Sequence, residues 1–129
     1  MKKSMFLTVA IAIVVISSIL LTSCGKKATE PDTMAATVTM TYTPNPATVN
    51  TPIDFNFSVM EEMKAVDVTD VTCGMMNGMT NLNPLTLTKT GTGMYMGTAT
   101  FTTSDSCKVS FKYNHHGTMM MQDFTIFVK

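Results

Sequence analysis

The chain has 129 residues, and its nine basic and nine acidic side chains give a formal net charge of zero. This length allows one modest domain, and the lack of a basic excess argues against nucleic acid as a partner. Charged residues make up only 14% of the chain, and methionine is unusually frequent at 14 residues. An apolar content of 45% with so little charge is not typical of a disordered chain.

The N-terminus has the organisation of a secretory signal. A basic start of two lysines is followed by an apolar run over residues 5–21 and by small residues before Cys24. The segment Leu21–Cys24 resembles the processing site of bacterial lipoproteins. That resemblance implies that residues 1–23 are a signal peptide and that Cys24 is acylated. An uncleaved membrane anchor is the alternative, although the apolar run is slightly shorter than the ~20 residues that span a bilayer.

Both interpretations place the rest of the chain outside the cytoplasm and next to a membrane. Gly25 follows the lipidated Cys24 where an Asp would mark another destination, so resemblance to Gram-negative lipoproteins implies the outer membrane facing the periplasm. Residues 24–36 are polar, small and proline-containing, which predicts a flexible tether. We therefore expect the folded domain to occupy residues 37–129.

Short alternating runs of apolar and polar residues begin at Thr37 and predict β-strands separated by turns. The third run changes parity between Val68 and Val71, which predicts a bulge. Glu61–Lys64 is a helix-like stretch of one turn. The predicted strands are 37–43, 53–59, 66–73, 85–87, 93–101, 107–113 and 124–128.

This spacing predicts an all-β fold, a seven-stranded immunoglobulin-like β-sandwich. Alternation also assigns the side chains that face its core. They are Val38, Tyr42, Ile53, Phe55, Phe57, Val59, Tyr95, Phe101, Val109, Phe111 and Tyr113.

Two cysteines remain once Cys24 is assigned to lipid. Cys73 and Cys107 form an even pair in an oxidising compartment, and both have inward parity. If the third and sixth strands are neighbours, these cysteines could form a disulfide. A Cys73 thiolate that binds metal beside Met75 and Met76 is one alternative, and two unpaired thiols are the other.

The methionines do not follow the pattern of core filling. Met40 has inward parity, but Met60, Met94 and Met96 have outward parity. Two further groups fall on expected loops, one within the glycine-punctuated segment 73–79 and one after His115 and His116 at a turn. Thioether sulfur suits Cu(I), and imidazole suits copper in either oxidation state. The predicted metal ligands are Met75, Met76, Met79, His115, His116, Met119, Met120 and Met121.

A copper site of this kind requires both groups to lie at one end of the sandwich, which the sequence does not establish. A methionine-rich surface can instead bind proteins adaptably or react with oxidants. The excess can also be composition without a function, and His115 and His116 can be a solvated pair at a hairpin.

Several short motifs are shared with a known family. Thr43–Pro46 and Ala47–Asn50 lead into an alternating strand, a Met- and Gly-containing segment covers Cys73–Met79, and Gly93–Gly97 enters another strand. In these features the domain resembles the YtkA-like family of small, extracytoplasmic, immunoglobulin-like domains. Ser106-Cys107 replaces the Gly-Trp-like entry that the family has before its penultimate strand. The resemblance implies fold and location, and relatives of this sandwich include copper-handling proteins.

These observations favour binding over catalysis. The sequence offers no defensible nucleophile and base, no phosphate loop and no dinucleotide-binding glycine pattern. We expect a lipid-anchored copper-binding protein of the cell envelope that delivers copper to an envelope protein or sequesters it. The alternative is a non-enzymatic protein-interaction module with no metal site.

Overall fold

The computed structural model describes residues 35–129. The predicted signal peptide, the lipid attachment at Cys24 and the tether up to residue 34 lie outside the described residues. Within 35–129 the chain forms β-strands and no helix, so this part contains no helix that could cross a membrane. The strands are β1 Thr37–Thr43, β2 Pro52–Glu61, β3 Lys64–Ala65, β4 Thr69–Asn77, β5 Thr80–Leu82, β6 Thr88–Gly91, β7 Met94–Thr100, β8 Ser106–His115 and β9 Thr118–Phe127.

These strands form two antiparallel sheets. One has the order β1-β2-β7-β6 with β3 added beside β2, and the other has the order β5-β4-β8-β9. The aromatic rings of Phe57 on β2 and Phe111 on β8 stack with their centroids 4.8 Å apart, so apolar side chains of the two sheets meet in a common core. The all-β prediction is confirmed as two sheets consistent with a β-sandwich, but the described residues form nine strands where seven were predicted.

The alternation pattern predicted the core well. Every predicted inward side chain is buried except Tyr42, which is partly buried. The hydroxyl groups of two tyrosines at the edge of this core donate hydrogen bonds to backbone carbonyls. Tyr95 donates to Val68 O at 3.2 Å, and Tyr113 donates to Ala36 O at 3.0 Å.

Three segments differ from the sequence prediction. Residues 85–87 are not a strand, because Leu85 inserts into the core and its N–H donates to Cys73 O at 2.8 Å. Residues 119–121 lie on β9 instead of in a turn. The predicted loop 73–79 is mostly the end of β4, which turns at Gly78 into β5.

The helix-like stretch Glu61–Lys64 is a tight reversal from β2 to β3. Glu62 and Met63 both adopt left-handed backbone conformations, with φ of 48° and 64°, which no helical turn contains. The predicted bulge is confirmed, since the pairing of β4 with β8 shifts register between Thr69 and Thr72.

Cys73 and Cys107 are both buried, and neither forms a disulfide. The expected neighbourhood is correct, because β4 pairs with β8. However, Cys73 pairs with Phe111 and Cys107 pairs with Asn77, so the cysteines are offset by four residues. At ~3.4 Å per residue this offset is about 14 Å, whereas a disulfide needs Cα atoms within about 7 Å. The structure therefore does not support the predicted disulfide.

Candidate metal site

Two polar side chains continue the inward-facing rows of β2 and β8. Inward residues of β2 end with Val59 and then Glu61, and those of β8 end with Tyr113 and then His115. Both strands reach the same end of the two sheets, where His115 Nε2 lies 3.5 Å from Glu61 Oε1. The His115 side chain is only 7% exposed, and that of Glu61 is 22% exposed.

The turn after β8 supplies a second imidazole. His116 and Gly117 form the two-residue connection to β9, with φ of 50° and 80°, and His115 pairs with Thr118 across the hairpin. Left-handed conformation at both loop residues is typical of the type I′ turn, whose twist matches that of the strands. This geometry places the His116 ring 4.0 Å from the His115 ring, centroid to centroid, and its Nε2 lies 3.6 Å from Glu61 Oε1.

Glu61, His115 and His116 together form a group that could hold a metal ion. Each offers one ligand atom, and these atoms all lie within 4.8 Å of one another. His115 Nε2 is buried and has no hydrogen-bond partner in the described part of the chain. A buried polar atom without a partner is costly, and an ion or other ligand bonded to this nitrogen would relieve that cost.

The group faces a cavity of about 460 Å³. Another carboxylate lines this cavity, that of Asp67, but it already has two donors. Lys89 Nζ donates to it at 2.7 Å and the Gly93 N–H at 2.9 Å. These two hydrogen bonds lower the pKa of Asp67, so the carboxylate stays charged and is committed to them.

The first predicted methionine group lies at the far end of the same sheet. Met76 on β4 pairs with Lys108, which is seven residues from His115 along β8. At ~3.4 Å per residue this separation is about 24 Å. Met75 is buried in the core, and Met79 is 99% exposed at the turn beyond β4. These methionines cannot join His115 and His116 around one ion.

The second methionine group is divided between two faces of β9. Met119 pairs with Asn114 and Met121 with Lys112 on the outer face, and both are exposed. Met120 pairs with Tyr113 and is partly buried against the core. Successive residues of a strand point to opposite faces, so the three thioethers cannot bind one ion together. Of the eight predicted ligands, the structure brings together only the two histidines.

Glu61 is the member of the group that sequence analysis missed. The sequence predicted it as part of the helix-like stretch Glu61–Lys64, although its parity continues the inward row Ile53, Phe55, Phe57 and Val59. The same signal was present at His115. A polar residue at an inward position where a strand ends was the feature that could have identified Glu61.

The fold and the group define an all-β protein with two antiparallel sheets and three potential metal ligands at one end. No protein-family model matches the chain, and no curated protein matches it. The structure is similar to that of a DUF4785 family protein from Legionella pneumophila subsp. pneumophila str. Philadelphia 1, with a TM-score of 0.55 and 13% sequence identity. The match covers 71% of this chain and 28% of that one, and at this identity it shows the fold alone.

Proposed function

We propose that this protein binds copper through Glu61, His115 and His116, and delivers it to an envelope protein or sequesters it. The observation that carries the proposal is the buried, unpartnered Nε2 of His115 beside two further donor atoms. An ion bonded to this nitrogen would remove the cost of leaving it unpaired. The charge of Glu61 would also offset part of the charge of the ion.

The donor set favours copper among the ions of the first transition row. Two imidazoles and one carboxylate suit Fe(II), Cu(II) and Zn(II), and among these ions Cu(II) binds most tightly to nitrogen and oxygen donors. The set contains no thioether, so the proposal concerns Cu(II) in the first place. The Cu(I) expected from methionine content has no single cluster at this site to support it.

The wider setting of the proposal comes from the sequence. It comprises the lipoprotein signal with acylated Cys24, an extracytoplasmic location at the outer membrane if the cell is Gram-negative, and the resemblance to YtkA-like domains. A lipid anchor would hold the domain near the envelope proteins that receive copper. The role is binding and exchange, without catalysis by the protein.

Copper titration of site variants tests the proposal. Protein purified from the membranes of cells that express the full chain should bind one Cu(II), measured against a competing chelator. Removing one donor with His115→Ala, His116→Ala or Glu61→Gln should weaken binding at least about tenfold, since the loss of a residue that only hydrogen-bonds to a metal ligand can cost that much. The paramagnetic resonance spectrum of the wild-type complex should show coupling to two nitrogens, and His116→Ala should reduce this to one.

Glu62→Gln is the matched control for Glu61→Gln. Glu62 is the adjacent carboxylate, but it is exposed and lies outside the ligand group. Its substitution should leave the affinity unchanged. Equal losses in the two variants, or wild-type binding no tighter than that of the triple variant of Glu61, His115 and His116, would reject the site.

A second candidate function rests on the outer face and edge of β9. Met119, Met121 and Phe127 are 56–67% exposed on this face, and β9 is the last strand of its sheet. Exposed edge strands can pair with an incoming chain. A non-enzymatic interaction module of the envelope would keep its partner in pull-down assays after His115→Ala and His116→Ala, whereas metal-dependent capture would be lost.

A further inference from the structure

Three protein donors are fewer than most protein-bound metal ions take. Cu(II) with nitrogen and oxygen donors prefers square-planar or tetragonal geometry, which needs at least four ligands, so three protein donors leave a position for water or another molecule. The question for Glu61, His115 and His116 is whether another side chain of the described residues can supply the fourth donor.

The polar side chains that line the cavity are already directed elsewhere. Asp67 accepts from Lys89 and Gly93. Thr69 Oγ1 donates to Asp70 at 3.4 Å. Asn114 has the opposite parity to His115 on β8, so its side chain leaves the strand on the outer face, where its Nδ2 donates to Asp70 at 3.5 Å. The rest of the lining consists of Val66, Val68 and Gly117, which have no polar side-chain atoms.

Met120 is the thioether on the inner face nearest in register to His115. It pairs with Tyr113, so it is a diagonal neighbour of His115 across the hairpin, with Cα atoms about 7–8 Å apart. However, Met120 packs against the apolar core and does not line the cavity. Its side chain therefore contacts the core and does not border the open space.

From this arrangement we infer that the metal ion at Glu61, His115 and His116 keeps a fourth coordination position that faces the cavity and takes a small anionic donor from outside the chain. The inference rests on the proposed function, because it requires a metal at this group. In the exchange, the incoming donor forms a bond to the ion and a bound water leaves, with no change of oxidation state. The cavity of about 460 Å³ is large enough to admit a small anion together with water.

Azide binding to the copper-loaded protein tests this inference. Azide is a small monodentate anion, and its bond to Cu(II) produces a new charge-transfer absorption that neither component has alone. We expect one azide to bind per copper, with a saturable band and a changed paramagnetic resonance spectrum. Asp67→Asn should leave azide binding within about twofold of wild type, because Asp67 is committed to Lys89 and Gly93.

Met120→Leu is the variant that separates the two sources of a fourth ligand. If the position is open, azide should bind the wild-type protein and the Met120→Leu protein equally well. If azide binds only after Met120→Leu, the thioether already fills the position and the inference is wrong. Met121→Leu, on the outer face of the same strand, is the matched control and should change nothing.

The copper stoichiometry tests the proposed function, and the azide band tests the open position separately. One copper per chain with no azide band at saturating azide would overturn the open position and leave the metal site standing. Absence of stoichiometric copper would overturn both.

Discussion

His115 occupies the last inward position of a strand whose other inward side chains are Cys107, Val109, Phe111 and Tyr113. A polar ring in such a row is costly without a partner, and Glu61 Oε1 on the facing sheet lies 3.5 Å from its Nε2 without accepting a hydrogen bond from it. His116 is half exposed, so it can reach the same point from the solvent side. Glu61 ends β2, His115 ends β8 and His116 lies in the turn after β8, so no short sequence motif contains all three.

The two buried thiols should be unreactive in the folded protein. Burial, with a smaller contribution from the charge of Cys107, raises the pKa of Cys73 to about 12, and burial raises the pKa of Cys107 to about 11, from 9.0 in each case. Because the thiolate is the nucleophile, alkylation at neutral pH should be slower than for an ordinary thiol by roughly 1000-fold at Cys73 and 100-fold at Cys107. The rate should rise with pH up to the raised pKa values instead of levelling near 9.

Peptide mapping by mass spectrometry after pulsed iodoacetamide measures this at each cysteine separately. Both should label fully once the chain is unfolded in denaturant without reductant, and this is the control for the native measurement. A linked Cys73–Cys107 peptide in the unreduced digest would show instead that the strands slip in register to form the disulfide predicted from sequence.

At the scale of the strand, turns decide where side chains finally lie. Gly93 and Gly117 both have left-handed backbone conformations, with φ of 64° and 80°. A Cβ on Gly93 would lie 2.6 Å from Val59 O and 2.8 Å from Val66 O, whereas a Cβ on Gly117 would meet nothing within 4 Å. Alanine at Gly117 would therefore introduce backbone strain alone, whereas alanine at Gly93 would introduce both strain and a close contact.

Substituting each glycine by alanine should give different losses of stability. Gly117→Ala should lower the free energy of unfolding by about 1–2 kcal/mol, the cost of a left-handed conformation alone. Gly93→Ala adds overpacking against backbone that cannot move aside, so the loss should be about 2–5 kcal/mol. Urea unfolding of the two variants measures the difference, and equal losses would contradict the close approach at Gly93.

Strand periodicity also explains the methionines. Met60, Met94 and Met96 are exposed, as their outward parity predicts, and Met40 is partly buried as expected. The sequence predicted residues 119–121 to lie at a loop, because they follow the turn His115-His116-Gly117 and the last strand was expected to begin only at Phe124. The actual connection has only two residues, and β9 therefore begins at Thr118. Met119, Met120 and Met121 therefore point to alternating faces of β9 and do not form a cluster.

At the scale of the whole domain, stability comes from aromatic contact between the sheets. Phe57 is 1% exposed and stacks on Phe111, whereas Phe127 is 67% exposed on β9. Phe57→Ala should lower the free energy of unfolding by about 3–5 kcal/mol through lost burial and a cavity. Phe127→Ala should stay within about 0.5 kcal/mol of wild type. Thermal or urea unfolding checks both, and a large loss at Phe127 would reveal a buried role for the outer face of β9.

Much of the local structure followed from the sequence because its causes are local. Alternation over Thr37–Thr43 and Ile53–Val59 gave the strands and the inward faces, since a strand's side-chain period is two. The parity change between Val68 and Val71 gave the bulge for the same reason. Residues 85–87 were wrongly predicted as a strand. The Leu85 N–H donates to Cys73 O and the Leu85 side chain packs into the core, and local alternation shows neither contact.

The sequence by itself determined the all-β class, most of the core and the outward position of several methionines. The register of β4 against β8 was decided only by the tertiary structure, and that register separates Cys73 from Cys107 and Met76 from His115. The tertiary structure also decided that Glu61 lies beside His115 and His116. Register and the facing of two sheets depend on how all of the core side chains pack at once, so no single stretch of the chain contains the information.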